Sequence, residues 1–141
     1  MIPSFTTICG VDSKHLRQLT TVWPTWRKHK GSTLLANPMV IFYERDQVRP
    51  EQVRTICDHP QLRLYAWPPK GVVFAGDNTS KWNNQQRHKM LAGYIYIPTV
   101  LKTEYFLKID TDAIAVGQQD WIDPAWFVDR PAIISHPWGF T

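Results

Sequence analysis

Four short apolar runs constrain this chain more than any other feature of its sequence. Residues 39–43 (MVIFY) carry no charge on either face, and 105–109 (YFLKI) carry one lysine. A strand that reads as a continuous apolar run is covered on both faces, which is the habit of parallel sheets. Residues 5–9 (FTTIC) and 62–67 (LRLYAW) are two more β-rich runs, followed by Gly10 and by Pro68 and Pro69. Helical spacing fills the intervals. Asp12 or Ser13 can cap a helix whose apolar positions Leu16, Leu19, Trp23 and Trp26 recur at helical intervals, and Pro24 is expected to break or restart it. Residues 50–57 begin on a proline, as a short helix does. Residues 81–97 place Met90, Leu91, Tyr94 and Ile95 on one helical face, with Pro98 kinking or restarting the helix. Residues 70–80 read as loop, 113–116 and 132–135 as short strands, and 124–128 as a helical turn. The alternation predicts an α/β fold: an open, mostly parallel, Rossmann-like sheet with helices on both faces. With 141 residues it forms a single domain, 1–141.

Composition narrows the function classes. At 43% hydrophobic and 20% charged the chain is globular and not disordered. Its uncharged stretches are too short or too broken for a transmembrane segment. The first ten residues lack a charged segment followed by an apolar one, so no secretory signal is expected. Cys9 and Cys57, the two cysteines, are too few for a disulfide framework or a structural zinc site; they read as inert core residues in a reduced, cytoplasmic setting. Net charge is +4, distributed as +3 over 1–60, +4 over 61–104 and −3 over 105–141. The densest basic cluster, Arg27 to Lys30, falls where a helix should end and complements its dipole. It is not the basic stripe of a nucleic-acid binder, and no nucleic-acid partner is expected. A basic body with an acidic end suits an anionic ligand beside a metal.

The acidic end begins with Asp110-Thr111-Asp112, placed directly after the last strong strand. Ligands of open α/β sheets bind outside the carboxyl ends of the strands. Two residues apart in extended backbone, Asp110 and Asp112 project to one side and Thr111 to the other. Crowded carboxylates repel, and a hard divalent cation such as Mg²⁺ or Mn²⁺ relieves that cost while bridging to diphosphate oxygens. A solvated turn after a strand is the plain alternative.

The segment from Gln86 to Gly93, an amphipathic helix, followed by YFLKIDTDA resembles the D-x-D region of GT-A-type glycosyltransferases. The βα units before it resemble that family's nucleotide-binding half, so the likeness runs along nearly the whole chain. The resemblance implies transfer of a sugar from a nucleotide diphosphate-sugar donor, with Mn²⁺ or Mg²⁺ as cofactor. It implies Asp110 near the ribose or the metal, Asp112 on the metal, and Cys9, Gly10 and Val11 beside the nucleoside. Glu44 or Asp46 would hydrogen-bond the base or ribose, and Arg87 would contact the sugar nucleotide. Lys89 is expected to face solvent.

Only 29 residues follow Asp112, too few for the acceptor half that the resemblance implies. The fold is therefore expected to be truncated at its C-terminal end, with the acceptor unidentified and an apolar face near Trp121, Trp126, Ile133 and Trp138 open to self-association. His136 is a weak candidate for a late metal ligand. Trp23, Trp26 and Trp67 read as packing residues, whereas Trp82, Trp121, Trp126 and Trp138 fall in loops where they can stack on sugar. Three alternatives stand beside the transferase: a non-catalytic sugar-nucleotide-binding or assembly module, a haloacid-dehalogenase-like phosphatase, and a nucleic-acid-binding domain. In the phosphatase a D-x-D motif opens the fold, but here it arrives near the end. The nucleic-acid reading rests on pI alone.

Overall fold

The computed structural model describes residues 4–76, 80 and 84–117. Its elements run β1 (Phe5–Val11), α1 (Ser13–Ala36), β2 (Met39–Glu44), α2 (Pro50–Ile56), β3 (Leu62–Trp67), α3 (Gln85–Tyr96), a 3₁₀ turn (Ile97–Val100) and β4 (Tyr105–Lys108). The four strands form one sheet in the order β3-β2-β1-β4. Every pairing is parallel. β1 is central: Thr7 has Met39 on one side and Leu107 on the other.

The two-residue period of a strand sorts the apolar side chains into two layers. Cys9, Val11, Met39 and Ile41 face α1 and α2, where they pack with Leu19, Trp23, Trp26, Leu34 and Val53. Ile8, Val40, Phe42 and Trp67 face the other way, against Met90 of α3 and Ile97. Helices therefore cover both faces, and the apolar runs are explained by burial from two sides. On the α3 side the fit is close because two positions lack a side chain. A Cβ on Gly10 would lie 2.3 Å from the Phe42 ring, and one on Gly93 would also lie 2.3 Å from it. The ring fills a slot between strand and helix that only glycine leaves open.

Three local expectations need correction. α1 does not end at the Arg27–Lys30 cluster but runs on to Ala36, so those residues lie within the helix and not at its dipole's end. Pro24 does not interrupt α1, which is continuous from Ser13 to Ala36. Pro24 and Thr20, whose carbonyl the proline leaves without an amide partner, are both exposed, so water can serve that carbonyl. Trp23 and Trp26 are buried beside it, and their packing outweighs the lost hydrogen bond. Residues 113–116 are not a strand. Their backbone groups bond elsewhere: the Ala113 amide to the Asp110 carbonyl, the Trp26 indole N–H to the Ala113 carbonyl, and the Ala115 amide to the Thr25 hydroxyl. Tied to α1 in this way, they add nothing to the sheet. Residues 124–128 and 132–135, His136, Ile133, Trp82, Trp121, Trp126 and Trp138 lie outside the described residues. Among the described residues no helix is long and apolar enough to cross a membrane.

Candidate functional site

From β1 the chain builds outward through β2 and β3 and then returns to place β4 on the opposite side of β1. Loops leaving the carboxyl ends of β1 and β4 consequently diverge, which opens a crevice at this switch in direction. A cavity of about 460 Å³ occupies it, a size ordinary for a small-molecule site. Gly10 forms its floor at the end of β1, the first turn of α1 one wall, the first half of α3 another, and Lys108, Asp110 and Thr111 the β4 side.

Asp12 is the most heavily engaged residue of the site. It follows β1 directly and caps α1, its Oδ1 accepting from the His15 amide at 2.9 Å and from the His15 ring Nδ1 at 2.6 Å. Gln86 Nε2, on α3, donates to Oδ2 at 3.1 Å. Asp12 thus ties two walls of the cavity together while being 7% exposed. Burial pushes its carboxyl up, but the hydrogen bonds from the His15 ring and amide and from Gln86 outweigh burial and hold it well below the ordinary carboxylate range. It is an anion at any working pH.

Across the cavity the Gly10 amide donates to the Tyr94 hydroxyl at 2.7 Å. Lys108 alternates onto the α3 face with Asp110, and its Nζ reaches Asp110 Oδ1 at 2.7 Å while lying 4.6 Å from the Tyr94 ring centre. Burial, with nearby negative charge, pushes the Tyr94 phenol far up and keeps it protonated. Thr111 turns inward, is buried, and donates to Gln18 of α1 at 2.7 Å. Asp110 and Asp112 are exposed on either side of it. The backbone is already turning at this point, since the Ala113 amide bonds the Asp110 carbonyl. Asp110 lines the cavity, and Asp112 sits one turn further along, off its wall.

The other sequence candidates divide. Gly10 and Arg87 line the cavity. Cys9 and Val11 are fully buried on the α1 side of the sheet, so their side chains point away from it. Burial pushes the Cys9 thiol far up, an inert group. Glu44 ends β2 and is 1% exposed; its Oε1 lies 3.4 Å from Lys89 Nζ and accepts from the Asp46 amide at 3.3 Å, while Oε2 has no partner among the described residues. Lys89 is therefore turned toward the buried Glu44 carboxylate and not simply out to solvent. Asp46 is exposed in the turn after β2. Neither Glu44 nor Asp46 lines the cavity.

Sequence reasoning missed Lys14, His15, Gln86, Tyr94 and Lys108, and it read Asp12 only as a cap. Two signals were available. Asp12 and His15 stand three residues apart in a first helical turn directly after the first strand, and Lys108 stands two residues before Asp110 on one strand face.

Lys14, Arg87 and Lys108 give this cavity three fixed cations against the carboxylates of Asp12 and Asp110. Among the described residues no cluster of three or more His, Cys, Asp or Glu is placed to hold a metal. Asp110 and Asp112 are both exposed, Asp110 on the cavity wall and paired with Lys108, Asp112 beyond that wall. No family model matches the sequence, and no curated protein or solved structure compared with the chain matches it.

Proposed function

We propose that this cavity holds the diphosphate of a nucleotide-sugar donor, and that the chain is the donor-binding part of a glycosyltransferase. The observation that carries the reading is the cavity at the β1/β4 switch, lined by Lys14, Arg87 and Lys108 and bordered by Asp110. Three cationic donors in one crevice can accept the charge of a diphosphate, and the crevice lies where open α/β sheets bind nucleotides. Asp110 and Asp112 would hold a Mn²⁺ or Mg²⁺ ion, which supplies Lewis-acid neutralisation of the departing diphosphate. Gly10 forms the floor as bare backbone, its missing side chain making room for the Phe42 ring beneath. Tyr94 fixes that floor through the Gly10 amide. A cytoplasmic setting belongs to this reading, which rests on two cysteines that are free and buried.

One contact favours a metal-independent version of the same site. Lys108 already neutralises Asp110 at 2.7 Å, and a cation built into the chain can serve a diphosphate directly. Thermal unfolding against a panel of nucleoside diphosphates and nucleotide sugars, in Mn²⁺ or in EDTA, tests both. Ligand at about 100 times its dissociation constant stabilises by about 2.7 kcal/mol. A shift present only with Mn²⁺ and lost in Asp112→Asn supports the metal; a shift unchanged in EDTA supports the lysine. If no diphosphate shifts the melting temperature under either condition, the proposal is wrong.

A further inference from the structure

The cavity's hydrogen-bonding character is uneven, and His15 stands out in it. Lys14, Arg87 and Lys108 donate only. They match phosphate oxygens and have nothing to offer a ligand hydroxyl seeking an acceptor. Both oxygens of Asp12 are already taken, Oδ1 by His15 and Oδ2 by Gln86. Oδ1 of Asp110 is taken by Lys108, and its Oδ2 is the oxygen left for the metal ion of the reading above.

His15 lines the same cavity, and its side chain is 39% exposed. Its Nδ1 lies 2.6 Å from Asp12 Oδ1. An ionised carboxylate only accepts, so Nδ1 must carry the proton, and the neutral ring then presents Nε2 as a bare acceptor. Among the described residues Nε2 makes no hydrogen bond. Asp12 is buried and anchored from both helices, so the tautomer and the ring orientation are fixed before any ligand arrives.

We infer that His15, oriented by Asp12, is the hydroxyl reader of this cavity: its Nε2 accepts a hydrogen bond from an O–H of the ligand, so that the site prefers a phosphorylated polyhydroxyl compound to a bare diphosphate. The inference rests on the diphosphate reading above and adds the group that would recognise the sugar portion, whether ribose or transferred sugar. His15 is a binding residue in this scheme, and Asp12 a positioning residue.

The test is a ligand-by-variant cycle run by calorimetry at pH 8.5. The probes are inorganic pyrophosphate, UDP and GDP, their 2′-deoxy and 3′-deoxy counterparts, and UDP-glucose and GDP-mannose. One neutral hydrogen bond corresponds to a preference of roughly three- to tenfold. The unmodified chain should show that preference for one hydroxyl-bearing ligand over its counterpart lacking the group. In His15→Phe and His15→Gln, pyrophosphate should bind within about twofold of the unmodified chain, and the preference should fall in Phe to roughly one. Loss between ribo and deoxy ligands assigns the hydroxyl to ribose; loss between nucleotide and nucleotide sugar assigns it to the transferred sugar. A general loosening of the site would weaken all ligands together and leave the ratio unchanged, which overturns the inference. So does an unmodified chain that ignores every hydroxyl, a result that needs no variant to fold. If neither pyrophosphate nor any nucleotide binds, the diphosphate reading fails and this one fails with it; binding with an unchanged ratio overturns only the role of His15.

Discussion

Replacing Gly93 by alanine should destabilise the chain, although α3 is a helix and alanine is the better helix former. Gly→Ala in a helix interior favours folding by about 1 kcal/mol through backbone entropy. The new Cβ, however, would stand 2.3 Å from Phe42 Cε2 and 2.8 Å from Cδ2. Carbon atoms rest about 3.5–4.0 Å apart, so ring or helix must retreat by more than 1 Å. Phe42 is fully buried and held on its other side by Gly10, which closes the route of retreat for the ring. Overpacking of this kind costs about 1–3 kcal/mol; with the ring's retreat closed the upper part of that range, about 2–3 kcal/mol, applies, and the net result is a loss of about 1–2 kcal/mol. Gly31 in α1 provides the contrast, because its nearest neighbour, a Leu35 methyl, lies 3.9 Å from the Cβ position. Gly31→Ala should therefore gain about 0.5–1 kcal/mol. Urea unfolding followed at 222 nm measures both, with melting temperatures moving in opposite directions by roughly 2–4 °C per kcal/mol. Phe42→Leu should cost less in the Gly93→Ala background than alone, with a coupling of about 1 kcal/mol or more. A Gly93→Ala chain as stable as its parent would refute the slot. The shift should also reach the cavity, because α3 carries Gln86, Arg87 and Tyr94.

Stability should fall as pH drops below the ordinary carboxylate range. The Asp12 carboxyl is held low in the folded chain, so its contribution is complete above the unfolded value of about 3.9 and is lost as pH falls toward the folded one. Asp12→Asn should flatten that part of the urea-midpoint profile between pH 7 and pH 3 and lower stability at pH 7; a parallel profile would contradict the network. Neither cysteine should react with Ellman's reagent at pH 8 until urea is added, since burial pushes the Cys57 thiol up to about 12 and Cys9 further. Lys108→Ala should weaken nucleoside diphosphate binding in EDTA while leaving Mn²⁺-dependent binding in place, as read by calorimetry. Unchanged binding in EDTA would separate Lys108 from the phosphates.

The sheet was legible because burial on both faces writes itself into strands as unbroken apolar runs, and 39–43 is the clearest. What misled was local chemistry judged without its surroundings. Pro24 reads as a break because the sequence does not reveal that it faces solvent. Residues 113–116 read as a strand because their β-branched residues do not reveal that α1 side chains have claimed their backbone. The site was half legible for a similar reason. Asp110 and Arg87 were visible as residue types in the right place. Alternation along β1, by contrast, turns Cys9 and Val11 away from the cavity and leaves only Gly10 on it. His15 escaped notice because its meaning comes from Asp12 and from Gln86, a residue more than seventy positions away.

The strand order also has a kinetic consequence. β1, β2 and β3 pair with neighbours about twenty to thirty residues away along the chain, whereas β4 must find β1 across roughly a hundred. Closing the longer loop costs more entropy before any contact rewards it, so β4 is expected to dock after a β1-β2-β3 platform has formed. The cavity straddles the β1/β4 seam and should therefore be the last feature completed among the described residues. Pulse-labelling hydrogen exchange during refolding should protect the amides of Ile41 and Leu64 before those of Leu107 and Ile109. Ligand competence then becomes a clock that starts only when the final strand has closed.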